Sequence, residues 1–312
     1  MNFSIGCVVV HHNNFPDVLG TLDSLAAAGV PVTSTVVVDN SEDFGLESRL
    51  RGQLRSGTRL IVQRNSGYAA AVNVGVRTLL SSTDELSYIV VSTHEVRVDP
   101  AALRIMTHAM SECDADVAGP TLFSGFPGTG SLWSTGGTLS RFFSIPKHSQ
   151  SQEWRSVDAP SFVERAWLDG ALCVYSARVF DSIRFDEDYF LYFEEVDFHV
   201  RVRAAGGRVI WVPRAHASQT TSGMPAYYLA RNSVLFHATH GRGAQALLSP
   251  AYAVLRRLPP MVLGREPVQS LSALVAGLRD GRRLVRRRRA DAVRGRATRS
   301  RNQAQSHSQR DD

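Results

Sequence analysis

Four short apolar runs, each breaking into a polar cluster, constrain this chain more than any other feature. Residues 5–10 (IGCVVV) end in His11-His12-Asn13-Asn14, and Thr35-Val36-Val37-Val38 runs straight into Asp39-Asn40-Ser41. Leu60-Ile61-Val62 leads to Asn65-Ser66-Gly67, and Tyr88-Ile89-Val90-Val91 ends at Ser92-Thr93-His94-Glu95. Helix-like segments lie between them, among them VLGTLDSLAAAG, closed by Gly29 as a C-cap, and YAAAVNVGVRTLL. Strands that are apolar throughout, alternating with helices, predict an α/β fold with a parallel sheet buried on both faces. Ligands of such sheets sit beyond the carboxyl ends of the strands, where the polar clusters fall here.

Farther along, the pattern loosens over about 120–165, where SGFPGTGSLWSTGGTLS predicts turns, short strands and a loop region. Order returns with Ala166 to Val174, followed by a helix from Ser176. A helix over Glu194 to Ala205 then stops at Gly206-Gly207 before a strand over Arg208 to Val212. Residues 226–262 read as helical as far as Pro259-Pro260, and beyond about 265 one helix followed by disorder is expected.

The formal charge of +6 is misleading as an average, because residues 265–312 hold thirteen Arg against five Asp or Glu. The rest of the chain is therefore slightly acidic. Arg286 to Arg289 are consecutive, with Leu278, Leu284 and Val285 close by. Such a tail suits a solvated segment or an anionic membrane surface; nucleic acid is not expected, since no aromatic interleaving accompanies the charge. Three widely spaced cysteines form neither a C-x-x-C pair nor a disulfide framework, which fits a reducing cytosol. The N-terminus reads as a first strand and not as a signal peptide, and no run is long enough to span a membrane.

Several side chains are candidates for chemistry. Asp39, at a strand end, can accept a hydrogen bond from a base N–H, although a turn or N-cap Asp looks the same in sequence. Asn65-Ser66-Gly67 followed by small residues lets a ligand approach the backbone of a helix N-terminus, and tight helix–sheet packing selects the same alanines. Neither a P-loop nor a G-x-G-x-x-G fingerprint is present. Glu95 ends a buried strand, where a carboxylate can hold a divalent cation on a diphosphate or simply face solvent. Glu194-Glu195-Val196-Asp197 places three carboxylates at a helix start, which the helix dipole favours. The aromatic run Tyr189 to Phe193 before them desolvates a carboxylate and raises its pKa, as a general base requires. Asp197 and Arg201 have the spacing of an ordinary helix pair.

Taken in order, CVVVHHNN, VVVDNSED, RNSGYAAAVNVG, YIVVSTHEVRVDPAAL, the block from Trp167 to Ala217 and YYLARN resemble the inverting glycosyltransferases of family 2, GT-A fold, above all their bacterial rhamnosyltransferase-like branch. The resemblance covers roughly residues 5–235. It implies a GT-A catalytic domain over 1–225, with a mostly parallel central sheet flanked by helices, a helical extension over 226–264 and an Arg-rich tail over 265–312. It implies transfer, with inversion, of a sugar from a nucleotide-diphosphate donor to an acceptor hydroxyl, with dTDP-rhamnose the commonest donor of the branch. By the same resemblance His11, Asp39, Asn65, Gly67, Thr93 and Glu95 serve the donor, and Asp169, Gly170 and Ala171 the acceptor. Glu194, Glu195 and Asp197 form the catalytic acidic group, with Glu195 as base. The family's strand-end acidic motif falls on Thr93-His94-Glu95 and keeps only its last acidic position. Gln219 stands where a metal-binding His is common. A Mg²⁺ or Mn²⁺ ion is then expected to rest mostly on the diphosphate and Glu95. The acceptor is a lipid-linked glycan of the cell envelope or a soluble small molecule, and the protein is cytoplasmic, with the tail able to rest on the inner membrane face. A degenerate nucleotide-sugar-binding protein without activity is the competing reading.

Overall fold

The computed structural model describes residues 4–82, 85–125, 130–220, 223–255 and 269–308. It divides into two compact units, one of residues 1–140 with 146–223 and one of residues 141–145 with 224–312.

The first unit is built on one ten-stranded sheet. Its centre is made of β1 (Ile5–His11), β2 (Thr35–Asp39), β3 (Arg59–Val62) and β4 (Tyr88–Thr93), ordered β3-β2-β1-β4 and parallel throughout. The apolar runs are buried because helices cover both faces. α1 (Phe15–Ala27) and α4 (Ala102–Cys113) pack into one apolar core, and α3 (Tyr68–Ser82) packs into another with Val8, Val36 and Val38. The exception is β3, an edge strand left partly exposed. Gly29, at φ +99°, ends α1 as expected. α2 (Phe44–Gln53) is capped by Asp43, whose side chain accepts from the amides of Gly45 and Leu46.

Beyond β4 the sheet becomes mixed. β5 (Val96–Val98), β6 (Val117–Ser124), β7 (Ser131–Ser134), β10 (Val163–Glu164), β11 (Leu172–Ser176) and β12 (Val209–Gln219) complete it, while β8 (Gly137–Leu139) and β9 (Pro146–His148) form a separate two-stranded ribbon. β11 lies antiparallel between β4 and β6, and β12 is parallel to β6, so β12, β6, β4, β1, β2 and β3 share one direction and the central sheet is mostly parallel. The reversal of β11 carries its N-terminal end to the edge where the parallel strands finish. Leu172, its first residue, sits opposite Ser92 near the carboxyl end of β4.

Two local expectations need correcting. The helix predicted from Ser176 is only a 3-10 turn, Ala177–Asp181, after which the chain leaves the helical path and buries Phe185 in the core. The strand predicted over 208–212 runs on to Gln219, with its register shifting between Val212 and His216, where Pro213 has no amide to donate. α5 (Glu194–Ala204) begins and stops as its sequence requires, with acidic residues in the first turn, Arg201 and Arg203 in the last, and Gly206 at φ +90°.

The second unit contains α6 (Ala226–His240), α7 (Gln245–Leu255) and the forty-residue α8 (Gln269–Ser308). The predicted single helical stretch over 226–262 is thus broken near Gly241–Gly243, and its end lies outside the described residues. Where a helix followed by disorder was expected over 265–312, α8 extends to Ser308. α8 packs on α6 through glycines. A Cβ on Gly281 would lie 2.6 Å from the Arg231 carbonyl and 3.0 Å from Val234 Cβ, and Gly277 meets the Tyr227 carbonyl as closely.

Candidate active site

The carboxyl ends of β1, β2 and β4 meet at one edge of the sheet. His11 Nδ1 lies 2.9 Å from Asp39 Oδ1, and that oxygen also accepts from the amide (3.0 Å) and hydroxyl (2.5 Å) of Ser41. Burial by itself raises the Asp39 pKa, but the bonds from His11 and Ser41 outweigh it, and the net shift is downward. Asp39 is an anion here. Its Oδ2 and the Nε2 of His11 are both buried without a protein partner, an acceptor and a ring nitrogen left over for a ligand. His94 stands edge-on to His11 at 5.4 Å, and burial and its neighbour hold its pKa down at about 4.

Asn65 and Gly67 shape this wall through the backbone. Asn65 Oδ1 accepts from the Gly67 amide at 3.1 Å, and the Asn65 amide donates to Glu42 at 2.9 Å. Gly67 has φ +96°, and a Cβ there would collide with the carbonyl and Cα of Phe190. The next amide, of Tyr68, donates to the same carbonyl at 2.6 Å. Gly67 is therefore what lets the start of α3 touch the loop leading into α5.

That loop is strained. Phe190, Tyr192 and Phe193 all have positive φ, at 63°, 68° and 70°. It delivers Glu194 and Glu195 to the first turn of α5, facing the segment before β11. A Cβ on Gly170 would lie 3.3 Å from Glu195 Cβ, a tight contact that glycine relieves. The reversed β11 brings Asp169, Gly170 and Ala171 to the edge where β4 ends, and the Thr93 amide donates to the Ala171 carbonyl at 3.0 Å. Tyr68 Oη closes the circuit with a 2.8 Å bond to the Gly170 carbonyl. Donor-side, acceptor-side and catalytic residues expected from sequence are thus neighbours.

The electrostatics separate the carboxylates. Glu194 is buried, and desolvation followed by repulsion from Glu195 pushes its pKa well up. Glu195 is raised to about 7 by desolvation, with its own and the Val196 amide pulling it down and Asp169 pushing it up. The Oε2 of each, and Oδ2 of Asp169, are buried and have no partner among the described residues. Asp169 is raised by burial and eased by His148, Ser134 and Trp133; His148 Nδ1 lies 3.5 Å from its Oδ1. Asp197 is differently engaged. It holds Arg201 in a two-pronged pair at 2.6 and 2.8 Å, and Arg201 in turn donates to the Arg184 carbonyl at 2.8 Å.

Thr93 and Glu95 lie at the end of β4. Thr93 Oγ1 is buried and without a partner, whereas Glu95 Oε2 accepts from Thr220 at 2.9 Å. Burial raises the Glu95 pKa, Thr220 lowers it and Asp17 adds to the rise. Asp17 is paired with Arg97 at 3.3 Å. Gln219 ends β12, opposite Val96 of β5 and Ser124 of β6, and His216 Nδ1 lies 3.7 Å from Asp99. Among the described residues no three His, Cys, Asp or Glu side chains converge on a common point. This donor set does not fit a resident ion.

Tyr68 and His148 were not singled out from sequence. Tyr68 stands inside RNSGYAAAVNVG and reads as one more helix residue. His148 lies in the irregular stretch where no periodicity marks any position.

No protein-family model matches the chain. The chain is 25% identical over 311 residues to N-acetylglucosaminyl-diphospho-decaprenol L-rhamnosyltransferase of Mycobacterium tuberculosis, covering 93% of this chain and 97% of the relative. Among solved structures it is similar to GalNAc-T7, crystallised with UDP, GalNAc and Mn²⁺, at a TM-score of 0.59 and 14% identity, over 76% of this chain and half (50%) of that one. It is also similar to residues 1–349 of S. aureus TarS, at a TM-score of 0.53 and 16% identity over 89% and 80% of the two chains. This is the GT-A glycosyltransferase fold.

Proposed function

We propose that this chain is an inverting glycosyltransferase that moves a hexose from a nucleotide-diphosphate donor, dTDP- or UDP-linked, to an acceptor hydroxyl, with Glu195 as the base. The observation that carries the reading is Glu195 itself. It is a carboxylate with an orphaned buried oxygen and a pKa near 7, at a helix start beside Gly170. An acceptor hydroxyl is a poor nucleophile until a base takes its proton in line with the reacting carbon. In the step, the acceptor oxygen bonds to the anomeric carbon from the face opposite the diphosphate, the bond from that carbon to the diphosphate oxygen breaks, and the proton passes to Glu195. Glu194 beside it is likewise pushed well up, by desolvation and then by repulsion from Glu195. Asp197, paired with Arg201, positions the helix start and does not touch substrate.

Asp39 Oδ2 is the acceptor for a base N–H, with His11 beside it, and Asn65 and Gly67 shape the wall. Thr93 and Glu95 lie toward the diphosphate, and Asp169, Gly170 and Ala171 toward the acceptor. Should a divalent ion, Mg²⁺ or Mn²⁺, accompany the donor, most of its ligands would come from the diphosphate and Glu95 would be the protein carboxylate offered to it, and no step above runs through it. The mycobacterial relative's name, and the match along nearly its whole length, support a rhamnosyl donor, of which dTDP-rhamnose is our choice, and a polyprenyl-diphosphate glycan as acceptor. Such an acceptor suits a cytoplasmic enzyme that works at the inner membrane face.

The test is a panel of nucleotide sugars offered with a prenyl-diphosphate-GlcNAc acceptor, the product's anomeric configuration being read by NMR. A dTDP- or UDP-sugar consumed with inversion is expected, and retention of configuration would overturn the mechanism. The altered strand-end motif favours one second reading, nucleotide-sugar binding without transfer. Binding with neither transfer nor slow hydrolysis of any donor in the panel would select it.

A further inference from the structure

α8 presents two unlike faces. Leu274, Gly277 and Gly281 are buried against α6, and Tyr227 Oη donates to Asp280 at 3.2 Å. On the opposite side, at helical spacing, run Leu271, Val275, Leu278, Arg279, Arg282 and Arg286, with Leu271 and Val275 exposed by 44% and 59%. Val275, Leu278, Arg279, Arg282, Arg283 and Arg286 line one shallow groove on that side. Farther on, Arg289 and Val293 continue the same stripe in the open, Val293 being 68% exposed. The stripe thus begins apolar and becomes guanidinium-rich; Asp280 borders it, 3.6 Å from Arg279 and 3.4 Å from Arg283.

We propose that this face of α8 is a docking surface for an anionic lipid bilayer. Leu271, Val275 and Leu278 enter the headgroup boundary, and Arg279, Arg282, Arg283, Arg286 and Arg289 pair with lipid phosphates. No helix among the described residues is long and apolar enough to cross a membrane, so a helix of this kind lies along the surface. Charge complementarity favours lipid over a second copy of the chain. The second unit holds 18 basic against 5 acidic residues, so two such faces repel, and the first unit's excess of 24 acidic over 17 basic is spread over a whole domain. The interleaved apolar residues favour lipid over nucleic acid, which rewards phosphate contacts but not exposed leucine and valine.

The surface needs no sugar donor or acceptor, so its test is independent of the transfer reaction. The full chain is sedimented with vesicles of phosphatidylcholine alone and with about one-quarter phosphatidylglycerol. Binding is expected only to the anionic vesicles, weakening as salt rises. The triple variant Arg282→Gln/Arg286→Gln/Arg289→Gln is expected to bind on the order of 100-fold more weakly, each Arg near an anionic surface being worth about fivefold. Leu271→Ser/Val275→Ser is expected to weaken binding several-fold at unchanged charge. Both variants should keep the wild-type thermal transition and the wild-type rate on a water-soluble acceptor. Equal binding to neutral and anionic vesicles overturns the proposal, and so does wild-type vesicle binding by the triple variant. Tighter capture by a DNA duplex, with Leu271→Ser/Val275→Ser indistinguishable from wild type, overturns it in favour of nucleic acid. Dimerisation that is lost in the triple variant, without vesicle binding by the wild type, overturns it in favour of self-association.

Discussion

Glu194 and Glu195 are adjacent in sequence, yet their surroundings press on them unequally. Desolvation raises both; Glu194 also feels Glu195 and has its own amide to stabilise its charge, whereas Glu195 has its own amide and that of Val196. With a pKa of about 7, the Glu195 carboxylate becomes available as pH rises through neutrality, so kcat/KM is expected to climb through about pH 7 and flatten above it. Glu195→Gln should cost on the order of 10²–10⁴-fold in turnover and abolish that climb. A pH–rate profile of both proteins checks this, and near-normal turnover by the variant would sink Glu195 as base. Sequence placed three carboxylates at one helix start and gave Asp197 and Arg201 the spacing of a helix pair, and only the family resemblance preferred Glu195 as base. The structure adds the Arg201 contacts on Asp197 and the closeness of Glu195 to Gly170.

At the scale of elements, the parallel core was legible because burial on both faces leaves its mark as unbroken apolar runs. The antiparallel β11 was not, because an apolar strand reads the same in either direction. Its direction is what joins Ala171 to Thr93 and sets Asp169 and Gly170 at the ligand edge. The packing of α8 on α6 turns on a similarly quiet signal, the four-residue spacing of Gly277 and Gly281. Alanine normally stabilises a helix interior over glycine by about 1 kcal/mol. At Gly281 a methyl would lie 2.6 Å from the Arg231 carbonyl, so Gly281→Ala is expected to destabilise the helix pair by roughly 1–3 kcal/mol instead. Denaturant unfolding followed by circular dichroism gives the sign, and a stabilised variant would mean that the two helices do not pack this closely.

At the scale of the molecule, charge is divided between the two units, acidic around the candidate site and basic in the helical unit. A nucleotide diphosphate entering a unit with 24 acidic against 17 basic residues meets a net negative charge, which makes an accompanying divalent ion useful. Mn²⁺ alone is therefore expected to bind weakly, in roughly the millimolar range, and at least about tenfold more tightly with UDP or dTDP present. Calorimetric titration measures both. The nucleotide should also raise the unfolding temperature, by about 2.7 kcal/mol of added stability when present at 100 times its Kd. Tight Mn²⁺ binding without nucleotide would instead reveal a resident site.

By itself the sequence determined the strands, the helices that cover them and the polar clusters at the strand ends, since each is written in local periodicity and in residues such as Gly29 and Gly206 that local geometry demands. It also determined that the basic charge is concentrated in the tail. The tertiary structure alone decided which carboxyl is held near neutrality and which face of the Arg-rich helix is open. Those properties depend on what lies across the fold from each side chain, on burial and on partners distant in sequence, and no local pattern encodes them.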